Sequence, residues 1–160
     1  MAKWRPPPIV RPISIGIVRR GGDLLLMAVR TDDGAIKGWR PLGGSIEFGE
    51  RAADTLKREF SEELGLEIAE PRLLSVLENL FVHHHAAGHE IVFVFEATLA
   101  DGAAYRRDAF TFEDGGVRND VRWVALARFQ AGQELLFPTG LLELVEASGR
   151  VTRPLHHTPP

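Results

Sequence analysis

The stretch GGSIEFGERAADTLKREFSEELGL, Gly43–Leu66, decides how the rest of the chain is read. In its second half Ala53, Leu56, Phe60 and Leu64 recur at three- and four-residue intervals, the spacing of one apolar stripe on a helix. Glu59, Glu62 and Glu63 gather on the flank beside that stripe. Gly65 stands where a left-handed residue ends a helix at little cost. The pattern predicts a helix over Gly49–Leu64, bounded by glycine on both sides.

Like charges three and four residues apart cost about 0.2–0.5 kcal/mol per pair even on a wet helix face, and more as water is withdrawn. Something positive is expected to compensate. Arg58 supplies part, and a hard divalent cation, which takes oxygen ligands and tolerates bound water, fits the remainder. Magnesium or manganese is the natural occupant. The competing reading is a solvated acidic face, which is what charge runs usually are. Such a face has no need of Gly43, Gly44 and Gly49, which form a loop that brings backbone close to a ligand.

Working outward, Ile13, Ile15 and Ile17 alternate in ISIGIV, and DLLLMAVR is a short apolar run after Gly21-Gly22; together they predict a hairpin. GAIKGWRPLGG reads as a turn-rich loop. LLSVLENLFVH after Pro71, HEIVFVFEATL and VRWVAL read as strands, the residues between the last two as a polar connection, and PTGLLELVEA as a closing helix. Strands surround helices without regular alternation, so a mixed sheet covered by helices fits best. Residues 1–12 are expected to be a proline-rich arm, 13–149 the domain and 150–160 a tail.

The chain has 160 residues, 44% of them hydrophobic and 26% charged, which suits one globular domain. Nineteen basic against 22 acidic side chains give a formal charge of −3, too small to argue for a nucleic-acid polymer or a membrane surface as partner. The absence of cysteine excludes disulfides, thiolate zinc sites and a cysteine nucleophile. The start MAKWRPPPIVRP lacks the apolar centre of a signal peptide, and the cytoplasm is the expected compartment.

From Gly44 the residues stand as Gly, five residues, Glu50, seven residues, Arg58-Glu59, Phe60, one residue, Glu62-Glu63, one residue, Gly65 and Leu66. This arrangement resembles the complete Nudix box, with every fixed position matched. Members often carry Leu-Pro-Gly-Gly before the box, whereas this chain has Pro41-Leu42-Gly43-Gly44. The resemblance implies an α/β/α sandwich with a mixed sheet flanked by helices. It also implies metal-dependent hydrolysis of a nucleoside diphosphate linked to another moiety, a small-molecule substrate. Glu59, Glu62 and Glu63 would be the metal ligands, with the Gly44 carbonyl a further one. Arg58 would orient a box glutamate, and Glu50 would support it from behind while serving the helix start. Glu62 is the general base chosen from within the box; Glu113 and Asp114 in FTFEDGG are the candidates outside it. A homodimer is an expectation from fold analogy alone.

Trp39, Arg40 and His89 are candidate substrate contacts, each weighed against a plain structural role. Arg19, Arg20 and Arg30 read as surface charges, Trp123 and Phe137 as core. His83, His84 and His85 are consecutive, so on an extended chain their side chains alternate, and a strand-end loop is favoured over a zinc site. The alternative function is a non-catalytic regulatory domain that binds a nucleotide metabolite. Such domains usually have eroded box glutamates, and none is missing here. Isoprenoid diphosphate isomerisation would want a cysteine.

Overall fold

Strand β1 (Val10–Ile17) is buried continuously from Ile13 to Ile17. A strand apolar on both faces belongs inside a sheet. In the computed structural model, which describes residues 4–149, β1 runs parallel to β6 (Ala86–Glu96) on one side and antiparallel to β4 (Ile36–Ser45) on the other. With β2 (Arg19–Arg20), β3 (Asp23–Arg30), β5 (Arg72–His83), β7 (Ala109–Asp114) and β8 (Val117–Ala125), the sheet order is β5-β6-β1-β4-β3-β8-β7, and β2 pairs with β3. One parallel pair among antiparallel ones makes the sheet mixed.

Two apolar clusters lie on its two faces. Leu56 and Phe60 of helix α1 (Ala52–Leu64) pack with Val18, Leu25, Leu42 and Phe95 on one. Phe129 of α2 (Leu126–Gln130) and Leu141 and Val145 of α3 (Leu141–Gly149) pack with Ile13, Ile15, Leu24, Val92 and Val94 on the other. The result is the expected α/β/α sandwich. No helix among the described residues is long and apolar enough to cross a membrane.

Four local expectations are corrected. The hairpin expected between ISIGIV and DLLLMAVR forms only where Arg19 and Arg20 meet Leu24 and Asp23, because β4 inserts between β1 and β3. GAIKGWRPLGG is not a loop but most of β4. Its glycines serve close approach: a Cβ on Gly38 would lie 2.5 Å from the Phe137 ring, and one on Gly43 would lie 1.9 Å from the Ser14 carbonyl oxygen. Helix α1 starts at Ala52 rather than Gly49, since the Glu50 amide closes a turn on the Glu47 carbonyl at 2.9 Å. The polar connection after β6 contains the unforeseen strand β7, hairpinned to β8. β1 also begins at Val10, so part of the stretch read as an arm is sheet; the tail at 150–160 lies outside the described residues.

Candidate active site

Helix α1 is held against β4 and β1 by its apolar stripe, and the Ser14 hydroxyl donates to the Ala52 carbonyl at 2.8 Å. Its far end is closed by Gly65 in the left-handed region (φ 63°), whose amide donates to the Ser61 carbonyl, followed by that of Leu66 to Phe60. This fixes the acidic flank opposite the Gly43-Gly44 end of β4. A Cβ on Gly44 would lie 2.3 Å from Glu59 Oε1, so only glycine lets that carboxylate rest on the strand.

Arg58 is the centre of the arrangement. Its Nε and Nη2 donate to the two oxygens of Glu50 at 2.8 and 3.0 Å, its Nη1 to Glu59 at 3.0 Å and Glu62 at 3.3 Å, and its Nη2 also to the Ser45 carbonyl at 3.2 Å. Glu50 further accepts from the Thr55 hydroxyl. The Arg58 bonds, followed by that of Thr55, hold the Glu50 carboxyl down at about 2. Glu50 thus stays ionised behind Arg58.

Glu63 faces the opposite situation. Burial, then the neighbouring charge of Glu59, pushes its carboxyl up to about 8, and burial raises Glu59 as well. Asp114 adds to both, so β7 brings this carboxylate into the field of the cluster. Glu113 falls opposite Arg118 in the β7–β8 register and alternates to the other side of the strand. Arg40 is half-buried, and the loss of water around its guanidinium lowers its pKa, while Glu90, Glu63 and Glu59 act to raise it. It is thereby placed with the site.

The donor set fits a hard divalent cation: three carboxylates on one helix flank, with the backbone of Gly44 close beside Glu59. Among the described residues no three acidic or histidine side chains are already closed into a metal cage. Arg58 instead engages two of the three glutamates, Glu59 and Glu62, and Glu62 is the most open of the three, with 62% of its side chain exposed.

Two expected substrate contacts are not brought there. Trp39 is 6% exposed, packs in the core on the face of α2 and α3, and donates through Nε1 to Glu134 at 3.1 Å. It is a packing residue. His89 pairs with Glu78 across the β5–β6 ladder at 2.9 Å. Arg19 caps α3 through the Val145 carbonyl, Arg20 lies 4.5 Å from the Trp123 ring, and Arg30 pairs with Asp120 at 2.8 Å. His84 and His85 are the two left-handed residues of the β5–β6 turn, and His84 contacts Asp32 at 2.6 Å.

Sequence reasoning passed over a polar group beside the site. Arg11 donates to Glu90 at 3.2 Å and to the Ser45 hydroxyl at 2.7 Å, while Asn79 donates to Glu90 at 3.3 Å. Arg11 and Glu90 are 79 residues apart, and only the pairing of β1 with β6 joins them. The one local signal was an acid, Glu90, placed at the start of an apolar strand.

Residues 10–145 match the NUDIX domain, and the chain belongs to the NUDIX family. It is 31% identical over 117 residues to the nucleoside triphosphatase NudI of Enterobacter sp. (strain 638), a match covering 71% of this chain and 81% of that protein. Among solved structures it resembles a NUDIX hydrolase from Nitrosomonas europaea, with a TM-score of 0.65 at 18% identity over 95% of this chain and 97% of that one. It also resembles an ADP-ribose pyrophosphatase from Streptococcus suis 89-1591, with a TM-score of 0.59 at 16% identity over 89% and 94% of the two chains. At those identities the structural likeness is one of fold. Family and fold together define a pyrophosphohydrolase, an enzyme acting on phosphorus anhydrides.

Proposed function

We propose that this chain is a magnesium-dependent enzyme that hydrolyses the diphosphate linkage of a nucleoside diphosphate joined to another group, with a nucleoside triphosphate the first substrate to try. The observation that carries the reading is the Arg58 fan, which gathers Glu50, Glu59 and Glu62 beside Gly44 with Glu63 one residue further on. The likeness to a nucleoside triphosphatase over most of the chain supports the substrate class.

Glu59, Glu62 and Glu63, with the Gly44 carbonyl, would hold the cation, which when bound neutralises diphosphate oxygens and makes a bound water more acidic. Arg40, half-buried and within the field of Glu90, Glu63 and Glu59, presents its guanidinium to the phosphate chain. Arg58 offsets the mutual repulsion of Glu59 and Glu62 by bonding both and, being tied to ionised Glu50, stays in place when they turn toward a cation. Glu62, the most open of the three, takes the proton of the attacking water; Asp114 is the alternative outside the helix. The small formal charge of −3 supports a small-molecule substrate over a nucleic-acid polymer.

The test is product release from a panel of nucleoside triphosphates and other nucleoside diphosphate derivatives, with and without magnesium, beside Glu62→Gln and Glu63→Gln. Metal-dependent turnover that collapses in both variants is expected. Binding without turnover across the panel would transfer the protein to the regulatory class.

A further inference from the structure

The indole of Trp4 is 51% exposed, yet it is not loose. Pro6, two residues on, is buried, and the guanidinium carbon of Arg11 lies 5.1 Å from the indole centroid. Arg11 is in turn fixed by two partners, Glu90 and the Ser45 hydroxyl, and Glu90 is itself only 6% exposed and held by Asn79. Ser45 also gives its carbonyl to Arg58. A single residue therefore joins the support of Trp4 to the centre of the acidic cluster.

The ring of His83 lies 5.9 Å from that of Trp4, tilted by 41°. Burial, then the nearby charge of His84, lowers its pKa to about 4, with Lys37 and Arg40 acting in the same direction. His83 is thus a neutral ring at physiological pH. The charge of Arg40 acts on His83 as well as on Glu63 and Glu59, so one cationic side chain is within electrostatic range of both the ring and the carboxylates. His83 also lines a groove of about 540 Å3, together with Lys37, Val82 and His84 among others. Its size is that of a small-molecule site.

A half-exposed indole with an imidazole beside it, joined through Arg11 and Ser45 to the acidic cluster, matches a flat heteroaromatic group attached to phosphates. We propose that Trp4 and His83, backed by Arg11, form the nucleobase subsite of this enzyme, a reading that rests on its acting on nucleotides. The base stacks on the exposed indole, and His83 bounds it at the edge. The segment preceding β1 is then part of the specificity apparatus.

The experiment compares binding of a nucleoside 5′-monophosphate and of ribose 5-phosphate, without metal, to the full chain and to Trp4→Ala, Trp4→Phe and His83→Ala by titration calorimetry. The native chain is expected to prefer the nucleotide by roughly tenfold, the ratio appropriate to one base–aromatic stack. Trp4→Ala should erase that preference, Trp4→Phe should keep part of it, His83→Ala should reduce it, and ribose 5-phosphate should bind all four alike. A native chain without preference, or a preference unchanged in Trp4→Ala and His83→Ala, overturns the proposal. Turnover of a nucleoside triphosphate is followed in parallel, with KM expected to rise in Trp4→Ala and kcat to hold. Turnover with an unchanged KM sinks the subsite and leaves the hydrolase; base-dependent binding lost in Trp4→Ala without any turnover sinks the hydrolase and leaves the subsite.

Discussion

Arg58 and Glu50 form a two-pronged pair, Nε and Nη2 each meeting one oxygen of the carboxylate at 2.8 and 3.0 Å. Because the Glu50 pKa is lowered in the folded state, the stability it contributes is present above the ordinary carboxylate range and is lost as pH falls toward about 2. Glu50→Gln should lower the unfolding free energy at pH 7 by about 1–2 kcal/mol, a value discounted for partial solvent exposure. Urea unfolding of both proteins at several pH values checks this. The difference should shrink between pH 4 and pH 2.

Glu63 has the opposite sign. Its folded pKa of about 8 lies above the unfolded one, so the metal-free protein should lose stability as pH rises from about 4.5 through 8. Glu63→Gln should flatten that slope and raise the melting temperature of the metal-free protein at pH 8 while abolishing turnover. Magnesium should raise the melting temperature of the native chain more at pH 8 than at pH 6, and that of Glu63→Gln little at either. Thermal scans with and without a chelator measure all of these.

The adjacent glycines of β4 should respond differently to alanine. At Gly44 the new methyl meets the far end of the Glu59 side chain, which can swing away, so stability should stay within about 1 kcal/mol of native while activity falls at least roughly tenfold. At Gly43 the methyl meets Ser14 backbone in a conformation with φ 149°, and a loss above about 2 kcal/mol is expected. Paired denaturation and rate measurements separate the two.

If Glu62 takes the proton from water, Asp114→Asn should cost only a few-fold in kcat, whereas Glu62→Gln should cost about 100-fold or more. The reverse order of effects would give the role to Asp114. Both variants are to be compared at saturating magnesium, so that weakened metal affinity is not mistaken for lost proton transfer.

The helix flank was legible because all its functional groups lie on one continuous stretch, where spacing translates directly into position. Arg11 and Glu90 were not, since no local pattern announces a pairing across 79 residues. Strand β4 was misread for a physical reason: Gly43 and Gly38 permit close approach to Ser14 and Phe137 instead of making turns. Strand β7 escaped because it is an edge strand with only Phe110 buried, so its sequence is as polar as a loop. Trp39 looked like a ligand contact from its place near the box, and only its burial beside Leu136 and its bond to Glu134 show otherwise.

The parallel pairing of β1 with β6, from Val10 against His89 to Ile17 against Glu96, also governs how the protein comes into being. A ribosome delivers the first strand long before its parallel neighbour exists, and closing so large a loop is slow compared with forming a local hairpin. The nascent chain must therefore carry an apolar segment without its parallel partner while 79 further residues, about half of the 160, are added. Early stalls or truncations before residue 96 would release chains with the middle of their sheet open, the form most prone to stick to one another.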